Sequence, residues 1–170
     1  MVWIRVNTAL ALVLVCTVAI VFVVKTNPFS IGSPNMRIFE DQQTPLSAPP
    51  TPDESAEPYI EEEDEENHPL YIRPDSGTVT IPANSDILHM VLINPDENDC
   101  WFVFDIFLKD TGEQLYKSGL VAPGMCIEDF RISQTFSKGK YDAVLKIHAY
   151  EFDSYASISG ASVDFSIIAD

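Results

Sequence analysis

Residues 9–24, ALALVLVCTVAIVFVV, carry no charge, no proline and no glycine. Trp3, Ile4 and Val6, with Arg5 snorkelling between them, extend the stretch to roughly the 20 residues of a bilayer span. The sequence therefore predicts one transmembrane helix within residues 1–25, meeting the membrane through residues 3–24. A cleaved signal peptide is the competing reading. Against it, Val23, Val24, Lys25 and Thr26 lead straight into Asn27 and Pro28 with no small-x-small pattern. A lipidated Cys16 wants a small residue before it and has Val15. An uncleaved signal-anchor carries its downstream chain across the membrane, and the strongly acidic composition of that chain points the same way, to a carboxyl end outside the cytoplasm.

The remaining chain divides by composition. Residues 26–77 set twelve acids against Arg37 and Arg73, hold nine of the twelve prolines, and include the acidic run 61–66. A segment so poor in apolar side chains cannot bury enough surface to fold, so residues 26–77 read as a disordered acidic, Pro-rich tether. About 50 such residues span on the order of 40 Å as a coil and roughly 150 Å in polyproline form. With a net charge of −16 over 170 residues, the whole chain repels phosphate backbones, which excludes a conventional basic nucleic-acid binder.

Residues 78–170 form the remaining domain, where short β-rich runs alternate with turn residues. Strands are expected at 79–81, 87–93, 100–109, 113–117, 126–133, 140–151 and 161–168: an all-β, seven-stranded sandwich. Asn94-Pro95-Asp96-Glu97-Asn98-Asp99, Asp110-Thr111-Gly112 and Pro123-Gly124 carry turn chemistry. Alternation places Phe102, Phe104, Ile106 and Leu108 in the core with Ala143, Leu145, Ile147 and Ala149. The opposite stripe, Trp101, Val103 and Phe107, continues onto Val144, His148 and Tyr150 if the third and sixth strands are neighbours. Those six residues make an expected aromatic outer face, the candidate binding surface, unless a loop, the tether or another copy covers it.

Lys138-Gly139-Lys140-Tyr141-Asp142-Ala143 resembles the corner of immunoglobulin-like domains, where a Gly two residues before a Tyr opens the penultimate strand and the Tyr hydroxyl ties back to upstream backbone. Gly139 and Tyr141 would form that corner. Ala143 stands where antibody domains have a core cysteine, so the resemblance implies an immunoglobulin-like sandwich of generic kind. Over roughly residues 78–169 the chain is also similar to small membrane-anchored proteins of Gram-positive bacteria and their mobile elements. The phrases that carry this are Val79-Thr80-Ile81-Pro82, Asn94-Pro95 with Asn98 and Cys100-Trp101-Phe102, Leu115-Tyr116-Lys117-Ser118, Pro123-Gly124 and Gly139 to Tyr141. The resemblance implies layout and transfers no catalytic residue.

Other chemistry is sparsely signalled. His68, His89 and His148 share no metal-ligand spacing, and the cysteines form no C-x-x-C pair, so no metal and no cofactor is expected. Nothing beside Ser118, Ser133 or Cys126 marks a nucleophile, and the Asp96 to Asp99 turn lacks the order of a calcium loop. Cys100 and Cys126 are a candidate disulfide in an oxidising compartment, although the sequence does not say whether their Cα atoms come within about 7 Å. The expectation is a non-catalytic module, tethered to the membrane outside the cytoplasm, that docks a protein of the cell envelope. Recognition of wall glycan or peptide is the alternative.

Overall fold

The computed structural model describes residues 36–39, 51–60 and 77–170. The expected membrane helix and the acidic run 61–66 lie outside the described residues. Among those residues every regular element is a strand, and no helix is long and apolar enough to cross a membrane.

Among the described residues eleven strands occur in chain order: β1 (Met36–Phe39), β2 (Glu57–Pro58), β3 (Thr78–Ile81), β4 (Ile87–Leu88), β5 (Leu92–Asn94), β6 (Cys100–Leu108), β7 (Gln114–Lys117), β8 (Met125–Ile127), β9 (Phe130–Arg131), β10 (Gly139–Glu151) and β11 (Ser157–Ala169). One sheet runs β1-β11-β10-β6-β7, with β3 also beside β11. A second runs β2-β8-β5, and β4 pairs with β9 separately. Neither sheet closes on itself, and one apolar cluster draws side chains from both. That arrangement is consistent with a β-sandwich.

The core follows the alternation of the long strands. Phe104 lies opposite Ile147, Phe102 opposite Ala149 and Phe165 opposite Ala143, all in the buried cluster. Two of these pairs set a phenylalanine beside an alanine, the alternation of large and small that close packing favours. The expected strands 87–93 and 126–133 are each broken in two. Asp129, between β8 and β9, is left-handed at φ 48°, which interrupts the ladder and turns the backbone.

The tether expectation needs correction at two places. Met36–Phe39 pairs antiparallel with residues 160–163 of β11, and β2 pairs with β8. Residues 51–60 thus belong to the folded body as a strap, and the domain does not begin at residue 78. Composition misjudged them because the strap is held by its main chain: its side chains are mostly exposed and Ala56 alone packs on the core.

Candidate functional site

The outer face of β6 and β10 is largely covered. Val103, His148 and Tyr150 retain 4%, 2% and 2% exposure, while Trp101, Phe107 and Val144 are half-buried. After β7 the chain turns back along β6, Phe102 and Val121 exchanging backbone hydrogen bonds of 3.0 and 2.8 Å. Leu120 then packs on Val103 and Tyr150, with Trp101 and Tyr155 at the margin. Lys146 sits over the Phe107 ring at 4.8 Å, so a cation shields part of that face. The expected open stripe is therefore a second, smaller core.

A polar network fills the middle of this face. Asp105, 2% exposed, accepts from Gln114 Nε2 at 2.6 Å and lies 3.4 Å from both Lys117 Nζ and His148 Nε2. Burial pushes the Asp105 carboxyl up, but hydrogen bonding to His148, the charges of Lys117 and His148, and Gln114 together outweigh burial and hold it below its ordinary value. With Asp105 and His148 buried and Gln114 and Lys117 reaching in from the surface, these groups read as structure.

Cys100 and Cys126 are free thiols, which corrects the candidate disulfide between them. Cys100 belongs to the core cluster, whereas Cys126 lies between Met125 and Ile127, whose side chains face that cluster. Alternation turns Cys126 to the other side of its sheet. Burial first, then Glu128 and Glu57, push its thiol up to about 11, so thiolate is scarce at neutral pH. Ser118 is equally committed, accepting the Phe104 amide at 2.8 Å and donating to the Gly119 carbonyl at 2.8 Å. At the corner, Tyr141 Oη donates to the Ser137 carbonyl at 2.9 Å, and the Gly139 position lies against that ring.

An open aromatic surface does exist, at the end of the sheet. Glu151 pairs with Cys100 and Tyr150 with Trp101, so the β10–β11 turn projects beside the start of β6 and the Asn94 to Asp99 turn that precedes it. Phe152 is 39% exposed and meets Trp101 edge to face at 5.1 Å. The hairpin tip is fixed by Ser154 Oγ donating to Glu151 Oε2 at 2.7 Å and by left-handed Tyr155 at φ 53°. The neighbouring turn is fixed by fully buried Asn94, whose Nδ2 donates to the Cys100 and Val121 carbonyls, each at 2.9 Å, while Asn98 Nδ2 donates to Asn94 Oδ1 at 2.7 Å.

The two turns that flank this end of the sheet carry Asp96, Glu97, Asp99 and Asp153, all exposed, and no Lys or Arg occurs in residues 94–101 or 151–156. Trp101 Nε1 is buried without a hydrogen-bond partner, an indole donor beside an exposed ring. Sequence reasoning found Trp101 and the 94–99 turn but missed Phe152 and Tyr155. The available sign was two aromatic side chains in a turn, Phe152-Asp153-Ser154-Tyr155, where polar residues suffice. Among the described residues no group of three or more His, Cys, Asp or Glu is placed to hold a metal ion. Set against family models, curated proteins and solved structures, the chain matches none of the three.

Proposed function

We propose that this chain is a non-catalytic binding module, tethered to the membrane outside the cytoplasm, which docks a basic partner protein of the cell envelope through the hairpin end of its sheet. The observation that carries the reading is Phe152, held open by a pinned turn against Trp101, at an end of the sheet whose two turns carry four exposed carboxylates. An aromatic anchor within a charged rim is the composition of a contact site, and the sign of the rim selects a cationic partner. The obvious nucleophiles support a non-catalytic role, since Ser118 is engaged on both sides and the Cys126 thiol is raised.

An immunoglobulin-like arrangement is our reading of the topology. The order β3-β11-β10-β6-β7, with β3 parallel to β11, and the Tyr141 to Ser137 bond support it, as does the resemblance to small membrane-anchored sandwich proteins. The apolar residues 3–24 support the tether. With β1 paired to β11, only residues 25–35 separate the end of that segment from the folded body. Twelve Cα steps reach at most about 43 Å, so the docking end works close to the membrane.

Crosslinking and affinity capture with the full-length chain test the proposal, beside Phe152→Ser and a variant with Asp96, Glu97 and Asp99 changed to Lys. Loss of the captured protein with both variants, at unchanged melting temperature, is the expected result. Unchanged capture would remove the hairpin end from the function, and retention of wall polymer by the soluble domain would move the reading to a wall ligand.

A further inference from the structure

The strap occupies a place built for it. Residues 51–53 lie along the chain after β7, with Leu120 donating to the Thr51 carbonyl at 3.0 Å and Asp53 donating to the Leu120 carbonyl at 2.9 Å. The Gly119 amide donates to Asp53 Oδ2 at 2.6 Å. Farther on, β2 adds to the edge of β8, and Tyr59 donates to the Gly124 carbonyl at 2.9 Å. One short segment thus joins the edge of the first sheet to the edge of the second.

Gly119 is the notch in this groove. A Cβ there would meet the Thr51 carbonyl oxygen at 2.8 Å and the Asp53 Cα and amide at 2.9 Å, all main-chain atoms of the strap. Its φ is not left-handed, so backbone conformation makes no demand for glycine. Only the approach of the strap does.

The strap is nevertheless lightly held. Thr51, Pro52, Glu54, Ser55, Glu57, Pro58 and Ile60 are exposed, and hydrogen bonds supply most of its attachment. Segments with few buried apolar contacts open at the low end of the stability range. Its main-chain hydrogen bonds outside the segment, and the Asp53 carboxylate, go to residues 119–126, and Ser55 and Asp53 also act on Tyr116, so the groove reads the strap without regard to which chain carries it. Residues 61–76 supply sixteen links to β3, and six of them are consecutive acids that repel the domain's own net charge. Pro52 and Pro58 lack amide protons, which limits further pairing on the strap's free edge and favours a closed exchange over an open chain of copies.

From these observations we infer that the β8 edge and the Gly119 notch form a peptide-binding groove that takes the strap of a second copy of this chain in exchange for its own. The mode is β-augmentation with an aspartate at the notch. Anchoring copies in one membrane raises the concentration at which the exchange competes with self-docking.

Register provides a direct trap, because Glu57 and Cys126 are opposite each other in the β2–β8 ladder, a spacing that suits a disulfide. All chains carry Cys16→Ala. A donor chain with Glu57→Cys and Cys126→Ser is co-expressed in membranes with an acceptor chain native at both positions. The expected product after mild oxidation is a reducible heterodimer, at least five-fold weaker when the acceptor carries Gly119→Val. A single chain with Glu57→Cys and native Cys126 reports self-docking. Ready bonding within that chain and no heterodimer would overturn the exchange. No bond in either arrangement, with both chains folded by circular dichroism, would overturn the groove itself.

Discussion

The strap and the β10–β11 hairpin are attached to the same body by opposite means. The hairpin strands, thirteen residues each, bury an unbroken apolar stripe from Ala143 through Phe165 to Ile167, so their place follows from the pattern of their side chains. The strap exposes most of its side chains and is held by main-chain hydrogen bonds, one carboxylate and the absence of a Cβ at Gly119. Side-chain burial makes an element part of the cooperative unit, whereas main-chain pairing at an edge makes it detachable.

The sharpest way to break this contrast is in the core. Phe104→Ala removes a side chain 1% exposed and should cost about 3–5 kcal/mol, read by denaturant unfolding. A loss below about 1 kcal/mol would mean that the two sheets are not packed as described.

Next comes the network around buried Asp105 on the other face. Asp105→Ala leaves Lys117, Gln114 and His148 without their acceptor and should cost about 3 kcal/mol. The acid response belongs to the same group. Its folded carboxyl titrates below the usual 3.8, so its contribution is present above that pH and is lost as pH falls through the folded value. Asp105→Asn should flatten the acid limb of the stability curve, and a variant with the native slope would assign the limb elsewhere.

At the alkaline end the sign reverses. The Cys126 thiol rises from 9.0 to about 11 and the Tyr116 phenol, pushed by burial and then by Asp53, from 10.0 to about 12. Both favour the folded state while protonated, so stability is complete below about pH 9 and declines as pH rises through these values. Cys126→Ser should remove the part of the decline between pH 9 and about 11, measured by melting temperature against pH.

The smallest effect on stability tests the strap. Gly119→Val should lower stability by about 1 kcal/mol or less, yet the Asp53 and Tyr59 amides should lose hydrogen-exchange protection while those of β10 keep theirs. Protection lost equally in both regions would merge strap and core into one unit.

Much of the architecture was legible where period-two patterning is strong. Phe102, Phe104 and Ile106 declared an inner face, and the Gly139 to Tyr141 corner marked the start of β10. The outer face was misread because alternation says which side of a strand a residue takes, not what lies above it. Trp101, Val103 and Tyr150 face away from the main core, but the return of the chain after β7 sets Leu120 on them. Cys100 and Cys126 were similarly opaque: one opens β6 and the other lies in the middle of β8, and only the placement of both sheets sends one thiol inward and the other away.

By itself, then, the sequence determined the all-β class, the inner faces of the long strands and the apolar amino-terminal segment, because each depends on local composition or a two-residue period. Tertiary structure decided the rest. Which stripe is covered, why Gly119 is glycine, where the strap lies and which aromatic side chain stays open depend on chain segments far apart in sequence. Their meeting is a matter of sheet edges and backbone hydrogen bonds, which every residue offers alike and which leave little trace in residue type.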